Sequence, residues 1–428
     1  MSEIALTLAT DLDDLSAVCS PPELLLGRHC LIVGNAGSGK SWSLARIVEQ
    51  IGLVGGKVVL LDPSGEFSSL HRDAFHIHLG NPTRDSDNFN LTSLPYFQLL
   101  ESDLISFIGP ETPFQLVKLR AAMKTLKLLQ AAPHLSTDGN LHKARTERAA
   151  FESELLNYQS EIDRPGSIFN IYRLPLQIEL ECIEPTGGHT DADRWGASSA
   201  SQIQECAPLV EKLHDMLRAK ELRPLFAPSS APSVFKALEK FVADKATSVL
   251  RVSLEFLATT HGIRALAAHT LARHLLSMSH NTGFTDIPVV LALDEAHQLL
   301  SPAACSSDAS LLRAPFELIA QEGRKRGISV CLTAQRTSDV PGAFLSQLGT
   351  CIVHRIINGA DHDLVQRIAG GHTDRLGSSL AELGPGEAFL CGAGARTPRH
   401  IKMLCPVSPP VTPMPNYQLA WTNRKQET

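Results

Sequence analysis

Several things are scarce in this sequence, and each shortage excludes something. No apolar run is long enough to cross a bilayer. The stretch Met1 to Pro22 carries the acids Glu3, Asp11, Asp13 and Asp14 and no positive opening segment, so it does not read as a signal peptide. Lysine and arginine total 39 against 45 aspartates and glutamates, a formal net charge of −6. That balance argues against a broad basic face, and any contact with DNA must be confined to a local patch or a channel shared by several subunits. Aromatic residues make up 5%, so aliphatic packing should dominate the core. The nine cysteines (19, 30, 182, 206, 305, 331, 351, 391 and 405) contain no C-x-x-C pair. An odd number in a large chain, several within apolar runs, predicts reduced and mostly buried thiols in a cytoplasmic protein. No internal repeat is present.

What is present is an ordinary globular balance. The 428 residues are 43% hydrophobic and 20% charged, enough for a sizeable core. We expect one large α/β core with an insertion. Residues 1–27 read as a lead-in. The first part of the core spans 28–95, with an apolar run Cys30–Val33, a helix from Ser41 to Ile51 and a buried strand Lys57–Leu61. Residues 96–245 change character: 112–131 and 141–160 have helical spacing around a breaker near Pro133 to Asn140, which predicts a mainly helical insertion. A polar loop at 186–204, a helix at 206–220 and a Pro/Ser linker at 227–233 follow. The second part of the core spans 246–405. It has strands at 248–253, 288–293, 328–333 and 350–354, helices at 261–279 and 310–325, and a closing hairpin from 386–391 and 400–404. Buried strands alternating with helices predict a mostly parallel sheet. Residues 406–428 carry five prolines and read as an extended tail.

The most specific chemical signal is Gly34-Asn35-Ala36-Gly37-Ser38-Gly39-Lys40-Ser41, followed by Trp42. Glycines at this spacing let successive backbone N–H groups face phosphate oxygens, and the helix that follows adds the positive end of its dipole. Lys40 would supply a point charge to the β- and γ-phosphates, and the Ser41 hydroxyl would ligate magnesium. Asp294 and Glu295 end an apolar strand, where an acid pair is costly unless it meets a cation or water. In that setting Asp294 would hold Mg2+ and Glu295 would polarise the attacking water as general base. Gln335 ends the strand 328–333, where an amide can orient water or sense the γ-phosphate; it can equally be a polar strand end. Asp62 either reaches the nucleotide side of the sheet or builds a turn with Pro63 and Gly65.

Taken together, further motifs are similar to those of HerA-like ATPases, a branch of the HerA–FtsK superfamily. They are Val58-Val-Leu-Leu-Asp-Pro-Ser-Gly-Glu-Phe67, Leu293-Asp-Glu-Ala-His297, Glu322-Gly-Arg-Lys-Arg-Gly327 and Thr333-Ala-Gln-Arg-Thr-Ser-Asp-Val-Pro341, with Ser346-Gln347, His354-Arg355-Ile-Ile-Asn358 and Leu383-Gly-Pro-Gly-Glu-Ala388 after them. The resemblance covers 28–95 and 245–405. It implies a RecA-like P-loop core, a homo-oligomeric, hexameric ring around double-stranded DNA, and ATP-driven translocation with Mg2+. It also implies a nuclease or other effector partner in DNA end processing or phage defence. On the same ground Lys40, Glu295 and Gln335 carry over as catalytic residues, and Ser41 and Asp294 as metal ligands. A neighbouring subunit would supply an arginine finger, for which Arg324, Arg28 and Arg355 are the candidates. HerA-like proteins usually begin with a small β-barrel, and the 27 residues before Arg28 are too few for one.

Two functional readings follow. The first is a DNA-translocating motor whose phosphate contacts are sequence-blind, with Lys325, Arg326 and the loop 301–310 as candidate contributors. The second is a regulatory or scaffolding ATPase whose ATP-dependent ring switches an effector without translocating DNA. A motor for conjugation or secretion ranks behind both, because such relatives use a membrane complex.

Overall fold

The computed structural model describes residues 4–70, 74–80, 90–164, 166–186, 193–227, 230–284, 286–300, 309–357, 379–393, 395 and 397–411. Its centre is one twelve-stranded sheet in the order β2-β1-β12-β11-β10-β3-β9-β8-β4-β7-β5-β6. The strands are β1 (Leu6–Asp11), β2 (Ala17–Ser20), β3 (Cys30–Val33), β4 (Lys57–Asp62), β5 (Ala74–Gly80), β6 (Leu91–Thr92), β7 (Val249–Phe256), β8 (Val289–Leu293), β9 (Ile328–Ala334), β10 (Thr350–Val353), β11 (Glu387–Gly392) and β12 (Arg399–Met403). From β10 through β6 every neighbouring pair is parallel. From β10 the other way, through β11, β12, β1 and β2, every pair is antiparallel. The α/β class and the mostly parallel sheet are as the sequence predicted.

Parallel strands buried on both faces are mostly apolar, with alternate residues facing opposite cores. In β3, Leu31 and Val33 enter one core while Cys30 and Ile32 enter the other. In β4, Val59 and Leu61 split from Val58 and Leu60 in the same way. The smaller core is capped by the helix Lys40–Leu53, whose Leu44, Ile47, Val48 and Ile51 face the sheet. Each such side chain taken from water contributes roughly 1.5–3 kcal/mol.

The larger core lies on the opposite face. The helix Ile263–Thr282 packs there through Leu266, Leu271 and Leu275, and the helix Ala309–Arg326 through Phe316 and Ile319. Helices Glu101–Ile108, Pro113–Ala131, Leu174–Leu180 and Ala200–Arg218 join that same core. These four helices of segment 96–245 therefore share one apolar interior with the sheet, while Phe151, Leu155 and Ile162 pack in a small separate cluster with Leu128 and Ala132.

Two strands lie inside the segment read as a lead-in. β1 pairs with β12 and β2 pairs with β1, so residues 6–20 extend the sheet. The polar residues Thr7, Thr10 and Asp11 hid this in the sequence: β1 is supported by its partners more than by its own apolar pattern. Helix Ala200–Arg218 begins inside the stretch read as a polar loop. Residues 404–411 run back over the body. The Val407 and Ser408 amides donate to the Glu49 carboxylate at 2.9 and 2.6 Å, and the Val411 amide donates to the Glu66 carbonyl at 2.8 Å. Residues 301–308, Asn358 and the tail from 412 lie outside the described residues.

Cys30, Cys182, Cys206, Cys331, Cys351 and Cys391 are buried free thiols, and Cys19 and Cys405 are exposed. Among the described residues no helix is long and apolar enough to cross a membrane.

Candidate nucleotide site

β3 ends at Val33, and the chain turns at once into the glycine loop. The Gly34 amide donates to the Ala334 carbonyl of β9 at 3.3 Å, and the Asn35 amide to the Arg355 carbonyl beyond β10 at 2.9 Å. The loop is thus held by the strands on both sides of β3. A Cβ at Gly34 would come within 2.6 Å of the His354 side chain, and Gly39 sits at φ 111°, so glycine is required at both. The Gly386 amide donates to the Ser38 carbonyl at 2.9 Å from outside the loop. His354 lies beneath it, fully buried. Its Nδ1–H donates to the Glu387 carbonyl at 2.8 Å, and its Nε2 accepts from the Ser43 hydroxyl at 2.8 Å. Burial pushes its pKa down to about 4, so this imidazole is a neutral brace between the loop, the first turn of the helix and the β11 end.

Lys40 is 5% exposed and its ammonium donates to the Asn35 carbonyl across the loop at 3.2 Å. Burial lowers its pKa, and the charges of Glu295, Asp294 and Glu66 oppose that shift. The Ser41 hydroxyl points at Asp294 Oδ1, 3.4 Å away. Trp42 follows on the helix and is 44% exposed.

β9 lies between the glycine-loop strand and β8, so Asp294 is two strands from the loop. Thr333 on β9 spans the gap. Its hydroxyl donates to Asp294 Oδ1 at 2.8 Å and accepts from the Glu295 amide at 2.9 Å. Asp294 is 1% exposed, and its Oδ2 has no hydrogen-bond partner among the described residues. Burial is the main cause that raises its pKa to about 7. An orphaned, buried carboxylate oxygen beside a serine hydroxyl fits a hard cation that completes its shell with water and phosphate oxygens. Ser41 and Asp294 are the residues that would hold it.

Glu295 adopts φ 47°, a left-handed backbone that costs a non-glycine residue about 1–3 kcal/mol. This turns its side chain back toward β9. Gln335 Nε2 donates to Glu295 Oε2 at 3.0 Å, and His297 Nδ1 lies 3.1 Å from the same oxygen. The structure thus brings Lys40, Ser41, Asp294, Glu295 and Gln335 to one end of the sheet.

Asp62 does not reach this space with a free oxygen. It is fully buried; Oδ1 accepts from the Gly65 amide at 2.8 Å and Oδ2 from the Phe67 amide at 3.1 Å and Arg251 Nε at 2.7 Å. Its role is the turn.

The three arginine candidates fall apart in space. Arg28 precedes β3 and Arg324 precedes β9, so both sit at the amino ends of the strands, opposite the glycine loop, and both are exposed. Arg355 lies at the carboxyl end of β10, where its carbonyl holds Asn35 and its Nε is buried without a partner among the described residues. Arg326 pairs with Glu322, while Lys325 is exposed. Sequence reasoning assigned no part to Thr333, His297, His354 or Gly386. A hydroxyl inside the buried run Ile328–Ala334 was the one local signal for Thr333.

A parallel sheet, a glycine loop opening a helix, and a buried acid pair beyond one intervening strand define a P-loop protein of the RecA-like class. Solved structures share this fold. The bacterial conjugative coupling protein TrwB, in its unbound monoclinic form, matches with a TM-score of 0.56 at 17% identity, covering 96% of this chain and 91% of that one. TrwB in complex with ADP and Mg2+ matches at a TM-score of 0.54 and 17% identity, over 92% of this chain and 89% of that one. VirB4 of Thermoanaerobacter pseudethanolicus matches at 0.56 and 14% identity, over 98% and 99%.

The sequence narrows the class. The sequence model for the central domain of helicase HerA matches residues 13–239, and the chain belongs to that family. The DNA double-strand break repair helicase HerA of Pyrococcus furiosus is 25% identical over 89% of this chain and 65% of its own length. The protein of the same name from Saccharolobus solfataricus is 25% identical over 88% of this chain and 64% of its own. The chain spans just under two thirds of the length of these two relatives.

Proposed function

We propose that this chain is an ATP-hydrolysing motor of the HerA type that assembles as a ring and translocates double-stranded DNA. The observation that carries the reading is the tie from Ser41 through Asp294 and Thr333 to Glu295 and Gln335, built on a glycine loop in a chain of this family. A magnesium ion held by Ser41 and Asp294 would neutralise phosphate charge. Lys40 and the loop amides beyond Asn35, up to Ser41, bind the phosphates. Glu295 accepts a proton from the attacking water, and Gln335 orients that water once its amide leaves Glu295. An arginine completes the charge balance, either Arg324 or Arg28 from the adjacent subunit or Arg355, which already lies at the loop of its own subunit. A nuclease or other effector partner, in end processing or phage defence, belongs to the same reading.

ATP turnover across a salt series, with and without double-stranded DNA, tests it. Stimulation that fades as salt rises is expected. Turnover indifferent to DNA at every salt concentration would favour the alternative, a regulatory ATPase whose ring switches an effector. The formal charge of −6 is the observation on that side.

A further inference from the structure

The turn after β4 holds its backbone firmly and leaves one acid unused. Beyond the bonds that Asp62 makes to the Gly65 and Phe67 amides, Arg251 donates to the Gly65 carbonyl at 3.2 Å. Gly65 sits at φ 82°, and a Cβ there would lie 2.1 Å from Glu255 Oε2. On the far side the Val411 amide holds the Glu66 carbonyl. The residue so delivered is Glu66. Its half-buried carboxylate makes no hydrogen bond or ion pair among the described residues. The turn leaves β4 at the point where the Asp294 amide donates to the Leu61 carbonyl, at 3.2 Å. β4 runs parallel beside β8, with Leu61 opposite Leu293, so the turn that carries Glu66 opens at the same end of the sheet as Asp294, and its charge bears on Lys40 and Asp294. The orphaned Asp294 Oδ2, 1% exposed as part of its residue, independently marks a cation position at this end of the sheet.

We propose that Glu66 is a third acid of the nucleotide site, a positioning residue that accepts hydrogen bonds from water on the nucleotide-bound divalent cation. The proposal rests on the magnesium–ATP reading above. No three acid, histidine or cysteine side chains among the described residues are grouped closely enough to ligate a metal together, so Glu66 acts through water. Magnesium suits this, because it gives up its own water reluctantly.

The charge makes a test of opposite signs. Without a metal, Glu66 faces phosphate and repels it. With the metal, it holds the hydration shell. Calorimetric titration of ADP into wild type and Glu66→Gln, once in EDTA and once in excess magnesium, separates the two. In EDTA the variant should bind ADP as well as wild type or about threefold more tightly. The gain in affinity on adding magnesium should fall by about tenfold. Glu66→Asp keeps the charge one methylene short and should lose less; it serves if Glu66→Gln does not fold. Equal magnesium gains in variant and wild type would overturn the proposal. So would equal weakening in both buffers, which is what a purely structural residue gives. Absence of magnesium-dependent binding in wild type would instead overturn the magnesium–ATP reading itself.

Discussion

Asp294 is the residue on which the site turns. Its carboxyl is raised from 3.8 to about 7, mainly by burial, so the folded protein holds a proton that the unfolded chain has released. The sign follows: between about pH 4 and pH 7 the metal-free protein loses stability as pH rises, and the loss is complete above about 7. Thermal unfolding in EDTA should therefore show a midpoint that falls across this window. Asp294→Asn should flatten that fall, and an unchanged slope would assign it to another group. Magnesium must displace the proton, so magnesium-dependent ADP binding should weaken about tenfold per pH unit below about pH 7. Lys40→Ala should lose nucleotide binding, since its ammonium is the cation at the loop mouth. Glu295→Gln should bind ATP and lose turnover by about a hundredfold or more. Filter binding and phosphate release read the two outcomes, and turnover like wild type in either variant contradicts the assigned roles.

At the scale of elements, β9 connects the two halves of the chemistry. Its Thr333 hydroxyl serves both Asp294 and the Glu295 amide, so removing it strands two buried polar groups. Thr333→Val should cost about 1–3 kcal/mol in urea unfolding and lower kcat with little change in ATP affinity. Thr333→Ser should restore most of both, and a failure of that rescue would point to packing. The β4–β7 pair depends on the buried ion pair of Asp62 and Arg251, at 2.7 Å with both side chains essentially inaccessible. Asp62→Ala should destabilise the fold by about 3–5 kcal/mol, because it leaves a buried guanidinium uncompensated.

At the scale of the molecule, the sheet is asymmetric. Its parallel part carries the candidate nucleotide site at the carboxyl ends of β3, β8 and β9, the usual place for ligands in open α/β sheets. Its antiparallel part braces the loop from the side through Gly386 and the His354 contact with Glu387. Exposed Arg28 and Arg324 lie at the opposite end of the strands. If a neighbouring subunit presents that end to this loop, Arg324→Ala and Arg28→Ala should lower turnover while leaving ATP binding intact. Mixing either variant with Lys40→Ala subunits would then restore some activity, whereas Arg355→Ala acting within its own subunit would not be rescued.

The central strands were legible in the sequence, and the reason is local. A parallel strand buried on both faces is mostly apolar, so the runs Val58–Leu61, Val289–Leu293 and Val330–Leu332 stood out. The glycine loop was legible because its spacing answers to a phosphate rather than to the rest of the chain. The acid pair was legible because acids at the end of such a run are costly without a purpose. β5 was not read, since in Ala74–Gly80 His76 and His78 alternate with the core residues Ile77 and Leu79 and interrupt the apolar run, and β1 was not read because its support comes from β12, almost 400 residues away in sequence. His354 and Thr333 likewise meet their partners on other elements, Ser43 and Glu387 for the one and Asp294 and Glu295 for the other. By itself the sequence named the glycine loop, the acid pair and Gln335 as candidate groups. Tertiary structure alone decided how they meet, because inserting β9 between the loop strand and the acid strand makes one hydroxyl the link between them, and a hydroxyl within a buried run does not say which groups it joins.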